Sequence, residues 1–264
     1  MPESSEAMYK SGGIVERDAR QHVKDEYPNE AVGCVRTTDD GIVYERLENV
    51  SDDPTNKFEI GSRPPESELL AIIHSHTMDD SVAPSRVDMA SQQAMAIPWG
   101  ILRCDGTNAS KIRWFGDQVP VSPLLGREFL SGHHDCWGLV RDVYRTQFGV
   151  TLTNTPRDEN WYRDQAPHGK AINIVGPESI NETGFHLIPK DEMRVGDVVI
   201  GKVGRAGVVN HCGLVVGNGL ILHQLEGRYS RREPIGPWMS YIRYVIRHSR
   251  FMDAREPAPV IRVS

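Results

Sequence analysis

Apolar and polar positions along the chain follow two periods, and the changes between them place most elements. In "IVERDARQHVKDEY" (14–27) the apolar residues form one narrow stripe at helical spacing, and Pro28 stops the helix. "AVGCVRTT" and "GIVYERLENV", parted by the turn Asp39-Asp40-Gly41, read as strands. "LLAIIHSHT" (69–77) reads as a buried strand whose end turns polar. A helix begins at Ser85 and runs through "RVDMASQQAMA", and "WGILRCDG" and "SKIRWFG" give two further strands. The composition then shifts at "GDQVPVSPLLG" (116–126). Beyond it Trp137, Val140, Val143, Tyr144 and Phe148 recur at helical spacing, with Gly149 as a natural stop. Residues 151–190 are polar with little periodicity. "VGDVVIGKVG", "VNHCGLVVGNGLILHQLEG" and "SYIRYVIRH" are short strands, and 251–264 is an extended or loose tail.

This pattern predicts an α+β chain with two domains in series: residues 1–115, a linker at 116–121, a second domain at 122–250, and the tail. The 264 residues are 39% hydrophobic and 25% charged, the composition of a soluble globular protein with enough apolar residues for two cores. A formal charge of -6 argues against a nucleic-acid binder that works by phosphate neutralisation. Cys34, Cys104, Cys136 and Cys212 show no C-x-x-C spacing, which predicts free thiols in a reducing compartment. The N-terminus lacks an apolar core before a small-residue cleavage site, and no apolar run is long enough for a bilayer. The expectation is no secretory signal and no membrane span.

"HHDCWGLVRDVYRTQFGV" (133–150) places Asp135 as N-cap and Cys136 in the first helical turn. Helix N–H groups and the helix dipole favour a thiolate there. Cys136 is therefore either an activated nucleophile or a small hydrophobe at a helix start. A nucleophile needs a base, and the base an orienter. His211 and His223 are the candidates, on apolar strands flanking Gly217-Asn218-Gly219. A three-residue loop with Gly219 left-handed sets 216 against 220 and 213 against 223. His211, Gly213 and His223 then share one face, with Cys212, Leu214, Val216, Leu220 and Leu222 on the other. A two-residue loop at Asn218-Gly219 puts the histidines on opposite faces. The apolar pattern leaves both registers open.

Asp135-Cys136 opening a helix, His211 opening a strand and His223 twelve residues on resemble the NlpC-type papain-like cysteine peptidases. "MRVGDVVI" resembles that family's Gly-Asp strand before the histidine. The resemblance spans about residues 122–250. It implies a helix packed on an antiparallel sheet, with Cys136 as nucleophile, His211 as base and His223 orienting it. The implied substrates are stem peptides of bacterial peptidoglycan. Cys34, Cys104 and Cys212 are then packing cysteines.

In "IIHSHT", His74 and His76 lie two apart on a strand and point to one side, which suits two imidazoles on one zinc or a hydrogen-bonded pair. "PSRVDMAS" puts Asp88 in the first turn of the next helix, where Ser85-x-x-Asp88 also reads as a capping box that needs no metal. Glu30 lies at a helix-to-strand junction. The pattern Glu…His-Ser-His…Ser-x-x-Asp resembles the JAMM/MPN metallopeptidases over about residues 10–115. It implies an MPN-like mixed sheet flanked by helices, with Zn2+ held by His74, His76 and Asp88 and a water in the fourth position. Glu30 would be the general base and Ser85 would steady the oxyanion. Thr77 stands where that family usually has proline, and eight residues rather than seven separate His76 from Ser85. His133 and His134 read as solvated or lining a cleft. His22, His168, His186 and His248 take no role.

A JAMM-like domain followed directly by an NlpC-like one resembles the tail-tip assembly proteins of long-tailed phages. So do "PLLGREFLSGHHDCWGLVRDVYRTQFGV", "LILHQLEGRYSRREP" and "ENVSDDPTNKFEI". The resemblance implies other tail-tip proteins and peptidoglycan peptides as partners. It places the chain in the host cytoplasm during assembly, or in the virion tail tip with local wall cleavage at infection. The competing class is a structural assembly component with one or both sites idle. A cellular wall-remodelling enzyme would need an export route.

Overall fold

Strands whose side chains are apolar toward both faces need cover on both sides, and the first half of the chain meets that need with one sheet and two helices. The structure is a computed structural model that describes residues 6–77, 81–157, 183–204, 209–253 and 260–262. It divides into two units, Met1–Pro120 and Val121–Ser264. The first contains α1 (Ile14–Glu26), β1 (Val32–Thr38), β2 (Gly41–Leu47), β3 (Leu69–Thr77), α2 (Arg86–Met95), β4 (Trp99–Cys104) and β5 (Arg113–Phe115). The sheet order is β2-β1-β3-β4-β5. β3 and β4 pair in parallel, as their connection through α2 permits, and the other pairs are antiparallel. The stripe Val15, Ala19 and Val23 of α1 packs with Val35, Ala71, Ile73 and Leu102. On the opposite face Val32, Cys34, Ile72, Trp99, Ile101 and Phe115 form a second core with Met95. β3 is central and buried on both faces, which explains its nearly unbroken apolar run.

The second unit contains α3 (Cys136–Val143), β6 (Phe185–Ile188), β7 (Val198–Gly201), β8 (His211–Gly217), β9 (Leu220–His223), β10 (Arg231–Pro234) and β11 (Ile242–His248). Its sheet, β10-β9-β8-β7-β11-β6, is antiparallel throughout. Trp137, Leu139, Val140 and Val143 of α3 pack against Cys212, Leu214 and Leu222. Asp197 of the Gly-Asp stretch is buried and paired with Arg247 at 2.7 Å.

Two expectations change. The cysteine helix keeps α-helical bonding only to Val143, and Tyr144–Phe148 form a wider turn closed by Gly149 at φ 64°. Thr146 donates its hydroxyl to the Asp142 carbonyl at 2.6 Å, competing for a helix acceptor where the bonding changes. The tail is held at 260–262, since Gln147 exchanges two hydrogen bonds with the Arg262 backbone, at 2.6 and 2.8 Å. Much of the polar stretch 151–190, including His168, and the first residues after Thr77 lie outside the described residues. No described helix is long and apolar enough to cross a membrane.

Candidate active sites

The β8–β9 hairpin decides whether its two histidines meet. Asn218 and Gly219 both have positive φ, 53° and 68°, so the turn has two residues. A register shift follows Val215, with Gly217 at φ 98°. The resulting pairs are Gly217↔Leu220, Val215↔Ile221, Leu214↔Leu222 and Gly213↔His223. The expected 216–220 pair is replaced, and the inference that a two-residue turn separates the histidines fails. The bulge supplies the missing residue and restores the 213–223 register. His211 Nε2 accordingly lies 3.0 Å from His223 Nδ1. A Cβ on Gly213 would come within 3.2 Å of His223 Cβ, so glycine leaves the space for this face-sharing.

His223 Nε2 lies 3.1 Å from Glu233 Oε2 on β10, and Trp238 Nε1–H donates to the same oxygen at 2.9 Å. The Trp238 ring stands 4.6 Å from His223 and 5.6 Å from His211, centroid to centroid, closing off one side of the pair.

Cys136 opens α3 and is 6% exposed. Asp135 caps the helix, its Oδ1 accepting the Gly138 N–H at 2.8 Å. Its Oδ2 accepts from the Gly132 N–H at 3.0 Å and from the Arg157 guanidinium at 2.9 and 2.5 Å. Hydrogen bonding from Cys212 is the largest influence lowering the Cys136 thiol pKa. Burial opposes it, a hydrogen bond and positive charge from His211 reinforce it, and Asp135 opposes weakly; the net shift is down. Cys212 is pushed well up by that same bond and by burial. Cys212 is buried in the core against α3, as expected of a packing cysteine. Burial, then repulsion from His211, pushes His223 down to about 4 against the pull of Glu233, so His223 is neutral at neutral pH. His133 and His134 are half-buried and stacked, 4.0 Å apart. The His133 carbonyl sits where a Cβ on Gly138 would be, 1.8 Å away, so α3 starts here only with glycine.

In the first unit the β1–β3 ladder pairs Val32 with His74. Glu30 precedes β1 by two residues. Its backbone is fixed there: Glu30 N–H donates to the Pro54 carbonyl at 2.7 Å, and Asn49 Nδ2 donates to the Glu30 carbonyl at 2.8 Å. The stretch "ENVSDDPTNKFEI" also brings Phe58 over His74, ring centroids 4.7 Å apart. His74 Nε2 and His76 Nε2 converge to 3.2 Å, and His74 Nε2 lies 3.4 Å from Asp88 Oδ1. His76 Nδ1 lies 2.6 Å from the Ser81 carbonyl, an acceptor, so this nitrogen carries a hydrogen and Nε2 is the one turned to His74. Nitrogens on one tetrahedral zinc, each about 2.0–2.1 Å from it, stand roughly 3.3 Å apart. The donor set therefore fits zinc.

Ser85 and Asp88 form the capping box reciprocally, at 3.1 and 2.8 Å, using Asp88 Oδ2; Oδ1 faces His74 at 3.4 Å, and Oδ2 lies 3.9 Å from His76 Nε2. Burial raises the Asp88 pKa, but His74 and the bonds from His74 and Ser85 outweigh it and hold the carboxyl below the usual range.

Sequence reasoning missed Glu233, Trp238, Arg157 and the clamp by Asn49. Arg231–Pro234 has no apolar alternation to mark it as a strand, and Arg157 lies in an aperiodic stretch. His22, given no role, is buried against the Tyr44 hydroxyl at 2.9 Å.

The sequence model of the NlpC/P60 family matches residues 114–247, and that of the prokaryotic homologs of the JAB domain matches 14–115. Tail tip assembly protein K of Escherichia phage N15 is 31% identical over 238 residues, covering 86% of this chain and 91% of that protein. Tail tip assembly protein K of Escherichia phage lambda is 29% identical over 170 residues, covering 64% and 75%. The crystal structure of the NlpC/p60 domain of peptidoglycan hydrolase SagA is 17% identical, covering 47% of this chain and 88% of that one, with a TM-score of 0.31. With a JAB-like domain ahead of an NlpC/P60 domain and a phage relative matched along nearly its whole length, the chain belongs to the tail tip assembly protein K family.

Proposed function

We propose that the second unit is a cysteine peptidase acting on the stem peptides of bacterial peptidoglycan, and that the chain works in tail-tip assembly and in local wall cleavage at infection. Its partners are other tail-tip proteins. It acts in the host cytoplasm during assembly and in the tail tip of the virion at the wall. The observation that carries this reading is the geometry of the pair, His211 Nε2 lying 3.0 Å from His223 Nδ1, beside a buried cysteine at a helix start whose thiol pKa is lowered in part by His211. In the reaction, His211 takes the Cys136 proton and the sulfur attacks the peptide carbonyl. His211 then returns the proton to the departing amine, and water hydrolyses the thioester. His223 keeps the His211 ring aimed at the sulfur.

The first unit is read as a zinc-dependent peptidase site, with His74, His76 and Asp88 holding the metal. Zinc bound there supplies Lewis acidity. Glu30 takes the proton of the attacking water. The Ser85 hydroxyl accepts from the Asp88 N–H and has its own proton to give to the oxyanion.

The test incubates purified peptidoglycan with the protein and with Cys136→Ala, and identifies soluble products by mass spectrometry. Fragments released by the parent alone support the hydrolase and identify the bond. No release from intact wall or from isolated stem peptides refutes it and leaves a structural component of the tail tip.

A further inference from the structure

The hydrogen-bond chain that begins at Cys136 does not end at His223. Glu233 accepts from Trp238 Nε1–H on the oxygen that faces His223 Nε2, and Arg231 holds its other oxygen at 2.6 Å. Burial raises the Glu233 pKa, but the hydrogen bonds from Trp238 and His223 and the charge of Arg231 outweigh it, so Glu233 is ionised. An ionised carboxylate offers only lone pairs. The His223 nitrogen facing it must therefore carry a hydrogen. Neutral His223 has one such hydrogen, so its Nδ1 is a lone pair, and the group across 3.0 Å, His211 Nε2, must donate to it. A neutral His211 protonated at Nε2 presents a lone pair at Nδ1.

We infer that Glu233 is a positioning residue that fixes the tautomers of both histidines, so that His211 Nδ1 is the base available to Cys136. The inference rests on the cysteine-peptidase reading for its catalytic meaning. The charged and titratable groups around the array are Arg231 on β10, His223 on β9, His211 and Cys212 on β8, and Cys136 with Asp135 at the start of α3.

The test uses the full chain with nitrogen-15 histidine, the parent beside Glu233→Gln, which keeps an acceptor oxygen, and Glu233→Leu, which keeps bulk and removes every acceptor. Long-range nitrogen–proton spectra show which nitrogen of His223 carries its hydrogen. The expected result is the Nε2–H form in the parent and in Glu233→Gln, and a mixture of tautomers in Glu233→Leu. Alkylation of Cys136 by iodoacetamide at about pH 6 should fall about tenfold in Glu233→Leu and less than about threefold in Glu233→Gln. At about pH 9.5 the three rates should converge, because solvent base then ionises the thiol. An Nδ1–H form in the parent overturns the inference even if Glu233→Leu fails to fold, and so does a folded Glu233→Leu that matches the parent in tautomer and rate. If the tautomers behave as stated but parent Cys136 alkylates with the midpoint of an ordinary thiol, about 8.5, the peptidase reading falls and the role of Glu233 in the pair stands.

Discussion

Removing the Arg157 guanidinium should destabilise the second unit more than any other single polar change near Cys136. Arg157 is 0% exposed and Asp135 is 2% exposed. The guanidinium gives two hydrogen bonds to Asp135 Oδ2, and its third nitrogen bonds Asn154 Oδ1 and the Thr155 carbonyl, both at 2.8 Å. Arg157→Met keeps most of the aliphatic volume and strands a buried carboxylate. Breaking one half of such a pair costs about 3–5 kcal/mol. The lower part of that range applies, because the N–H groups of Gly132 and Gly138 still face Asp135. A loss of about 3 kcal/mol is a large share of the 5–15 kcal/mol or so that holds a domain together, and it lowers Tm by roughly 10 °C.

The dependence on pH follows from the same pair. Burial raises the Asp135 pKa, but Arg157 and the two backbone bonds together depress it. Its stabilising contribution is therefore present above the unfolded carboxylate value, about 3.9, and is lost as pH falls through the folded value. In Arg157→Met the acid limb moves to higher pH. Calorimetry of the full chain gives the size of the loss, and hydrogen exchange across 136–143 assigns it to the second unit. The double variant Asp135→Asn/Arg157→Met should be more stable than the sum of the single losses by about 1.5 kcal/mol or more. Additive losses, or a change below about 1 kcal/mol in Arg157→Met, would refute the buried-pair argument.

Gly138→Ala drives a methyl into the His133 carbonyl, a backbone atom that cannot swing aside. It should cost about 1–3 kcal/mol in urea unfolding and abolish peptidoglycan release, and parent-like stability would contradict the packing. In the first unit, elemental analysis should find about one zinc per chain, and none in His76→Ala. Ser85→Ala should keep the zinc while losing about 1 kcal/mol from the capping box, so loss of metal in that variant would show that Ser85 does more than cap.

Periodicity exposed the elements whose burial is one-sided or complete. α1 ends within a residue of its sequence limit because Pro28 changes the local chemistry abruptly. The Asp135 cap was legible for the same local reason, since a short carboxylate before an apolar helix has one obvious use. Long-range partners were not legible. Arg157 reaches Asp135 across 22 positions and Asn49 reaches Glu30 across 19, separations that no local period encodes. The histidine register was ambiguous because two turn geometries satisfy the same alternation. The structure resolves it with a bulge, which only the paired strand reveals.

The two sites put one chemical group to opposite uses. Each has an aspartate at the start of a helix, where N–H groups and the dipole welcome a carboxylate. Asp135 lies next to a residue whose anion is useful, and its charge works against that anion. Arg157 and two backbone N–H groups take up both of its oxygens, so it can neither bind a metal nor accept the thiol proton. Asp88 meets no guanidinium in the contacts among described residues: Ser85 bonds Oδ2, which lies 3.9 Å from His76, and Oδ1 faces His74 at 3.4 Å. The first arrangement neutralises its carboxylate so that a neighbouring sulfur can carry the negative charge. The second leaves negative charge beside two converging imidazoles, the setting a divalent cation requires. Exchanging the surroundings, by placing a cation against Asp88 or removing it from Asp135, would defeat each site for opposite reasons.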